Sequence, residues 1–257
     1  MATAKKADAG DIQIIEVHTG TITVAIVGTT PLILNRLSEK AKHELLLPAA
    51  KKTAADKASS LKHNPMEEFR ASPICLRGPA SPTLLAVPAT ALKGAMRTAA
   101  LDLPGAKKSQ IGRLTYIAGE TIAVYGVPQI FSTIVRSADI NRTPDVRTRC
   151  IVPKWAAIAS ITFVKPIMRE QSIANLIAAA GITVGIGDFR PEKGAGNYGQ
   201  FEVVGADDPR LVELMGSGGR AAQEEAMKSP EAYDEQTEEL LAWFDVEVRR
   251  RGFKVAA

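Results

Sequence analysis

The chain has 257 residues, 46% of them hydrophobic, with a mean hydropathy near zero, enough to bury a full core in one large domain carrying insertions. Two cysteines, Cys75 and Cys150, with no Cys-x-x-Cys pair and no clustered histidines, speak against a disulfide framework, a metal site or a resident cofactor, and fit a reducing compartment. The net charge of +4 divides unevenly: residues 36–154 carry 19 Lys and Arg against 9 Asp and Glu, whereas 206–247 carry 3 against 12. These are either two solvated faces or a basic body for a polyanion with an acidic tail that shields it or meets a neighbour.

The small, charged residues 1–19 read as a flexible N-terminus without a signal-peptide core, and no run of about 18 apolar residues follows, so a soluble cytoplasmic protein away from membranes is expected. Ile22, Val24 and Ile26 alternate with Thr21, Thr23 and Ala25, the period of a half-buried strand closed by Gly28. Residues 31–87 then read as an inserted basic arm. Its polar, Lys-rich middle, with Lys51 and Lys52, is too poor in apolar residues to add much core and would order on a partner.

Next comes PATALKGAMRTAALDLPG. Thr90 is placed to cap a helix whose apolar stripe is Leu92, Ala95, Met96, Ala99 and Leu103, ended by Pro104-Gly105. Thr90, Lys93, Gly94 and Arg97 share the other face, with the two cations side by side. Gly94 costs that helix about 1 kcal/mol relative to alanine, which a backbone passing close would explain. Taken in isolation, the helix is better explained as an ordinary amphipathic helix with an exposed Lys-Arg pair.

Strands return from Ile117 through ETIAVYG and PQIFSTIVR. Residues 136–154, with Arg136, Arg142, Arg147, Arg149 and Lys154, read as an extended basic loop or projecting hairpin before a strand over 155–166. Ser172 is placed to cap a short helix stopped by Gly181. A glycine-rich segment follows with Phe189, Arg190, Lys193 and Tyr198, side chains of the kinds that stack on bases and meet phosphates, before the strand Phe201–Val204. That segment is either a ligand-contacting loop or a bulged hairpin with solvated side chains. The series is α+β, a β-α-β-β-α-β core with insertions over 20–205. An acidic extension, 206–257, carries Leu240, Leu241, Trp243, Phe244, Val246 and Val248, which dock on their own core or on a neighbour.

Val87 to Arg97 resembles the Leu-Lys-Gly-x-x-Arg helix of the RAMP superfamily, and Gly185 to Val203 is similar to that superfamily's glycine-rich loop, ending here in Gly-Asn-Tyr-Gly-Gln-Phe-Glu-Val. Gln200 stands where the family has a basic residue, residues 188–191 enlarge the loop, and the acidic extension has no counterpart. The resemblance implies a modified ferredoxin-like (RRM-like) fold and the role of a CRISPR effector backbone subunit in antiviral defence. Such a subunit coats single-stranded guide RNA without cutting it, in a head-to-tail filament with other effector subunits. Lys93 and Arg97 would then be its helix cations, residues 190–198 its loop, and residues 136–154 its hairpin. The alternatives are a single-strand DNA-binding or annealing protein and an endoribonuclease of the same fold. For the latter, His43, His63, Asp139 and Asp145 are the residues to weigh, although surface and turn positions explain them more cheaply.

Overall fold

The alternation over 21–27 builds the central strand, β1 (His18–Gly28), which is antiparallel to β9 (Ala156–Lys165) on one side and to β10 (Phe201–Val204) on the other. This computed structural model describes residues 15–36, 46, 63–136, 144–193 and 196–252. Lys51, Lys52, His43, Asp139, Arg142 and most of the N-terminal stretch therefore lie outside the described residues.

Between β1 and β9 the chain forms β2 (Leu32–Leu34), α1 (Pro65–Ala71), β3 (Ile74–Cys75), β4 (Leu85–Pro88), α2 (Ala89–Ala99), α3 (Lys108–Leu114), β5 (Thr115–Ile117), β6 (Thr121–Tyr125), β7 (Gln129–Arg136) and β8 (Pro144–Val152). The larger sheet has the order β10-β1-β9-β6-β4-β3, and β5 pairs with β9 next to β6; β2-β8-β7 form a second sheet. All of these pairings are antiparallel. The architecture is mixed α+β.

One face of the larger sheet is buried by α2, through Leu92, Met96 and Ala99, and by α4 (Glu170–Thr183), through Ile173, Leu176, Ile177 and Ala180. They meet Val24, Ile26, Ile161, Phe163 and Phe201. Trp155 is fully buried and donates its indole N–H to the Thr30 carbonyl at 2.9 Å. Any side chain on Gly28 would overlap that ring, so the glycine ending β1 serves packing.

Several sequence expectations change. α2 begins at Ala89, so Thr90 lies inside its first turn instead of capping it; Pro88 holds the N-cap place without a side-chain bond, and the free Ala89 N–H reaches the Glu120 carbonyl at 2.8 Å; the helix ends at Ala99, short of Pro104. α4 starts at Glu170 instead of at Ser172 and runs through Gly181. A Cβ at Gly181 would overlap the Phe201 carbonyl, so this glycine lets the helix lie directly on β10 and does not stop it. The basic stretch 136–154 is no open loop over its described part: β7 and β8 form a hairpin in which Thr148 to Val152 are buried. Residues assigned to the arm join the core as well, with Leu32, Ile33, Leu34 and Phe69 essentially inaccessible. Phe69 is the anchor of α1, whose Glu68 carboxylate accepts the Thr148 N–H at 3.2 Å, and Ser72 Oγ just beyond accepts that of Cys150 at 2.7 Å.

The acidic extension docks on its own chain through α5 (Pro209–Ser217), α6 (Arg220–Lys228) and α7 (Glu235–Arg250). Leu211 of α5 covers Ala25, Val27 and Ala156 on the second face of the sheet. Gln223 of α6 is fully buried. Its Oε1 accepts the N–H groups of Leu84 (2.8 Å) and Leu85 (3.0 Å), and its amide hydrogens are shared among the carbonyls of Val124, Gly126 and Gly218 at 2.8–3.0 Å. The chain before α7 then follows the outer edge of β7, where Ile130 exchanges backbone hydrogen bonds with Glu231 and Tyr233, and Thr237 Oγ1 accepts the Ser132 N–H at 3.2 Å. An otherwise open strand edge is thereby covered.

Replacing Gln223 with Ala removes its hydrogen bonds to five backbone groups and is expected to cost about 3 kcal/mol. Gly181→Ala should cost about 1–3 kcal/mol by overpacking, despite alanine's better helix propensity. Urea unfolding measures both, and a cost below about 0.5 kcal/mol for either contradicts the packing described.

Candidate nucleic-acid interface

On α2, Thr90, Ala91, Gly94 and Thr98 fall on one stripe, and their small side chains leave a hollow along the helix. The facing wall is the end of β2, with Asn35 and Arg36, together with Gly187, Asp188, Arg190 and Glu192 of the glycine-rich loop. The groove between them encloses about 530 Å³ over an apolar floor that includes Leu34, Val87 and Ile186. Nothing lies within 4 Å of the position a Gly94 Cβ would take. The glycine in the middle of this helix therefore has no packing reason inside the chain and faces open groove.

The loop folds against β2 and against itself. The Asp188 N–H reaches the Ile33 carbonyl at 2.9 Å, Gly199 that of Pro31 at 2.8 Å, and Ile186 that of Gly199 at 2.9 Å. Gly187 and Gly199 have φ of 83° and 72°, and a Cβ on Gly199 would strike the Ile186 carbonyl. Phe189 adopts φ 55° without being glycine, a conformation an L side chain enters only where its surroundings enforce it. Much of the glycine content thus answers the loop's own backbone contacts.

Asp188 anchors the assembly. Its Oδ2 accepts Asn35 Nδ2–H at 2.9 Å and pairs with Arg149 Nη1 of β8 at 3.2 Å. Burial draws the Arg149 guanidinium below its ordinary value, opposed by the Asp188 charge. Arg149, expected among the cations that would meet nucleic acid, is therefore a buried strut. Tyr198, expected to stack on bases, is half-buried in a run of rings from Phe189 (6.3 Å between centroids) through Tyr198 to Phe131 (6.2 Å) and on to Tyr233 (5.5 Å), and burial raises its hydroxyl's pKa. Phe189, 44% exposed, is the ring of that run presented to solvent.

Arg190 lines the groove. It donates to the Gly187 carbonyl at 2.9 Å and forks onto Glu192 Oε2 at 2.9 and 2.5 Å, while Glu192 Oε1 accepts the Thr98 hydroxyl hydrogen at 3.2 Å. Burial disfavours the Glu192 anion, but the hydrogen bonds from Arg190 and Thr98 and the charges of Arg190 and Lys193 outweigh it and hold this carboxyl below its usual range. Glu192 thus bridges the loop to α2 across one end of the groove. Lys193 is exposed at the end of a short 3₁₀ turn, Pro191–Lys193.

Lys93 and Arg97 lie on the neighbouring stripe of α2. The Lys93 ammonium stands 5.0 Å from the Tyr116 ring centre, and the exposed Arg97 lies over Gly112 of α3. Arg147 is exposed two residues along β8 from Arg149, on the same face, and Arg136 ends β7. Lys154, in the β8–β9 turn at the far end of the hairpin, is not brought to the groove. Asn35, Arg36, Thr98, Asp188, Glu192 and the exposed Tyr116 were missed; for Asn35 and Arg36 the run Leu32-Ile33-Leu34 was the signal that a buried strand delivers them. Among the described residues, no cluster of His, Cys, Asp and Glu could hold a metal ion, and no helix is long and apolar enough to cross a membrane.

No protein-family profile and no curated protein matches the chain. Among solved structures, one chain of the cryo-EM structure of the Type III-B Cmr-beta bound to cognate target RNA aligns at a TM-score of 0.32 and 13% identity, covering 71% of this chain and 59% of that one. At that score the likeness carries no weight for function.

Gly94→Ala should raise stability by about 1 kcal/mol, the helix propensity difference in open space. A loss in urea unfolding would mean that the groove wall is occupied from within.

Proposed function

We propose that the chain binds single-stranded nucleic acid, RNA in preference to DNA, along the groove between α2 and the glycine-rich loop, without cutting it, and lines up head to tail with further copies on one strand. The observation that carries this reading is the unfilled groove at Gly94, walled by Arg36 and Arg190 and set between the two segments that resemble the RAMP motifs. A sugar-phosphate backbone can pass where a side chain on Gly94 would stand. An incoming phosphate competes with the Glu192 carboxylate for the Arg190 fork. Arg147 extends the basic line along the hairpin, and Phe189 and Tyr116 offer ring faces. Contacts of this kind read the backbone more than the bases.

A modified ferredoxin-like core is part of the proposal. In sequence order, β1, α2, β6, β9, α4 and β10 supply the strands and helices of a split βαβ. β1 lies between the third strand, β9, and the last, β10, and β6 lies on the far side of β9. For the endoribonuclease alternative, His63 is the residue to weigh. Its Nδ1 is 2.7 Å from Glu68 and its Nε2 2.9 Å from Asp145, so both ring nitrogens already tie α1 to the hairpin, which favours a structural clamp over a general base.

Fluorescence anisotropy with a labelled RNA of about thirty nucleotides, and the same sequence as DNA, tests the reading. The expected result is tighter binding to RNA, falling roughly fiftyfold between about 50 and about 200 mM salt if about four phosphates are contacted, with the RNA left intact with or without Mg²⁺. Gly94→Phe should weaken binding at least about tenfold by filling the groove, and Glu192→Gln should strengthen it by releasing Arg190. Unchanged affinity in Gly94→Phe would move the nucleic acid elsewhere, and preference for DNA would favour the annealing alternative.

A further inference from the structure

The outward face of α7 is unusual for a surface helix. Trp243 and Val246 are 64% and 67% exposed, one turn apart, and Glu235 and Glu239 precede them on the same side, with Glu238 beside them. Val248, Leu241 and Thr237 already fasten the helix to its own chain, so intramolecular docking does not require Trp243.

A second cavity of about 420 Å³ opens between α3 and the amino-terminal half of α4, lined mainly by apolar groups among them Leu103, Ile111, Met168 and Leu176. Lys107 lines it. Lys108 and Arg169 adjoin its lining residues in the chain, and Ile167 at its side is 58% exposed. Among the described residues, Lys107, Lys108 and Arg169 have no carboxylate partner, and neither Glu235 nor Glu239 has a basic one.

We propose that Trp243 of one copy seats in this apolar cavity of the next, with Glu235 and Glu239 against Lys107 and Lys108. Interface hot spots are enriched in tryptophan buried in a pocket, and complementary charge around it fixes the register of docking. Within one chain α7 is packed on β7, whereas the cavity lies between α3 and α4. The cavity lies at the start of α4, whose 14 residues span about 21 Å before the chain enters the glycine-rich loop, and that loop packs on the sheet whose outer edge carries α7. Two different patches in contact form a heterologous interface, which repeats into an open chain instead of closing a dimer. One helix face in one cavity makes a small, weak contact, strengthened when both copies sit on the same strand. This docking rests on the head-to-tail reading above, for which it supplies the protein–protein contact.

Sedimentation velocity of the full chain, without nucleic acid and from about 1 to about 200 µM, reads the contact directly. Wild type should grow with concentration, and Trp243→Ala and the double variant Lys107→Glu/Lys108→Glu should each weaken association at least about tenfold. Each variant retains one intact half of the interface, so mixing them should give a 1:1 dimer that grows no further. Wild-type self-association by Trp243→Ala, or a mixture of two that remains monomeric, overturns the docking. Anisotropy on an RNA of about six nucleotides separates the two readings. Trp243→Ala should bind it like wild type, whereas wild-type chains that associate through Trp243 and bind no RNA would leave the docking standing and remove the nucleic-acid reading.

Discussion

One carboxylate holds together the parts that make the groove. Asp188 takes a hydrogen bond from Asn35 at the end of β2 and an ion pair from Arg149 on β8, and its own N–H is tied to Ile33. Three segments far apart in sequence are thereby fixed around one side chain. Arg149 is the enforcing partner: as a largely buried cation it needs a neighbouring anion, and removing Asp188 would leave its charge uncompensated. With the loop pinned in this way, Phe189 is driven into left-handed backbone and toward solvent, and Arg190 turns to the groove. The positions of the groove residues on the loop and at the end of β2 follow from that pairing, and α2 supplies the opposite wall through its own packing on the sheet.

Much of the sheet was legible. Period-two alternation gave β1 and β7 nearly to the residue, and Phe201–Val204 was read as β10 itself. α2 was legible as an apolar stripe, and the glycine at position 94, read as room for a close-passing backbone, has open space where its Cβ would stand. What stayed hidden was tertiary. Arg147 and Arg149 interrupt the apolar pattern of β8, so a buried strand read as a basic loop, although Cys150, Ile151 and Val152 were apolar in sequence as well. Nothing local announces that Arg149 has an acid partner 39 residues away in the loop. Gly181 read as a helix stop because glycine ends helices more often than it admits a strand carbonyl to a helix surface.

The acidic extension was readable as charge but not as architecture. Gln223 has no sequence signature distinguishing it from a solvated residue of a polar helix, yet it bonds five backbone groups at the β4 and β6 ends. Arg220 does similar work nearby, reaching the carbonyls of Leu76, Gly78 and Thr83. With these contacts made, the extension belongs to the body, and its remaining surface, acidic with an exposed indole, faces outward. The groove and the acidic outer helix are then two separate surfaces of one body.

The most direct test of the central claim is to photo-crosslink a 4-thiouridine-substituted RNA to the full chain and map the adducts by mass spectrometry. The groove reading predicts adducts in the peptides holding Thr90 to Thr98 and Gly187 to Lys193. Adducts confined to the open sheet face around Thr21, Thr23 and Thr162, with none on α2 or the loop, would contradict it.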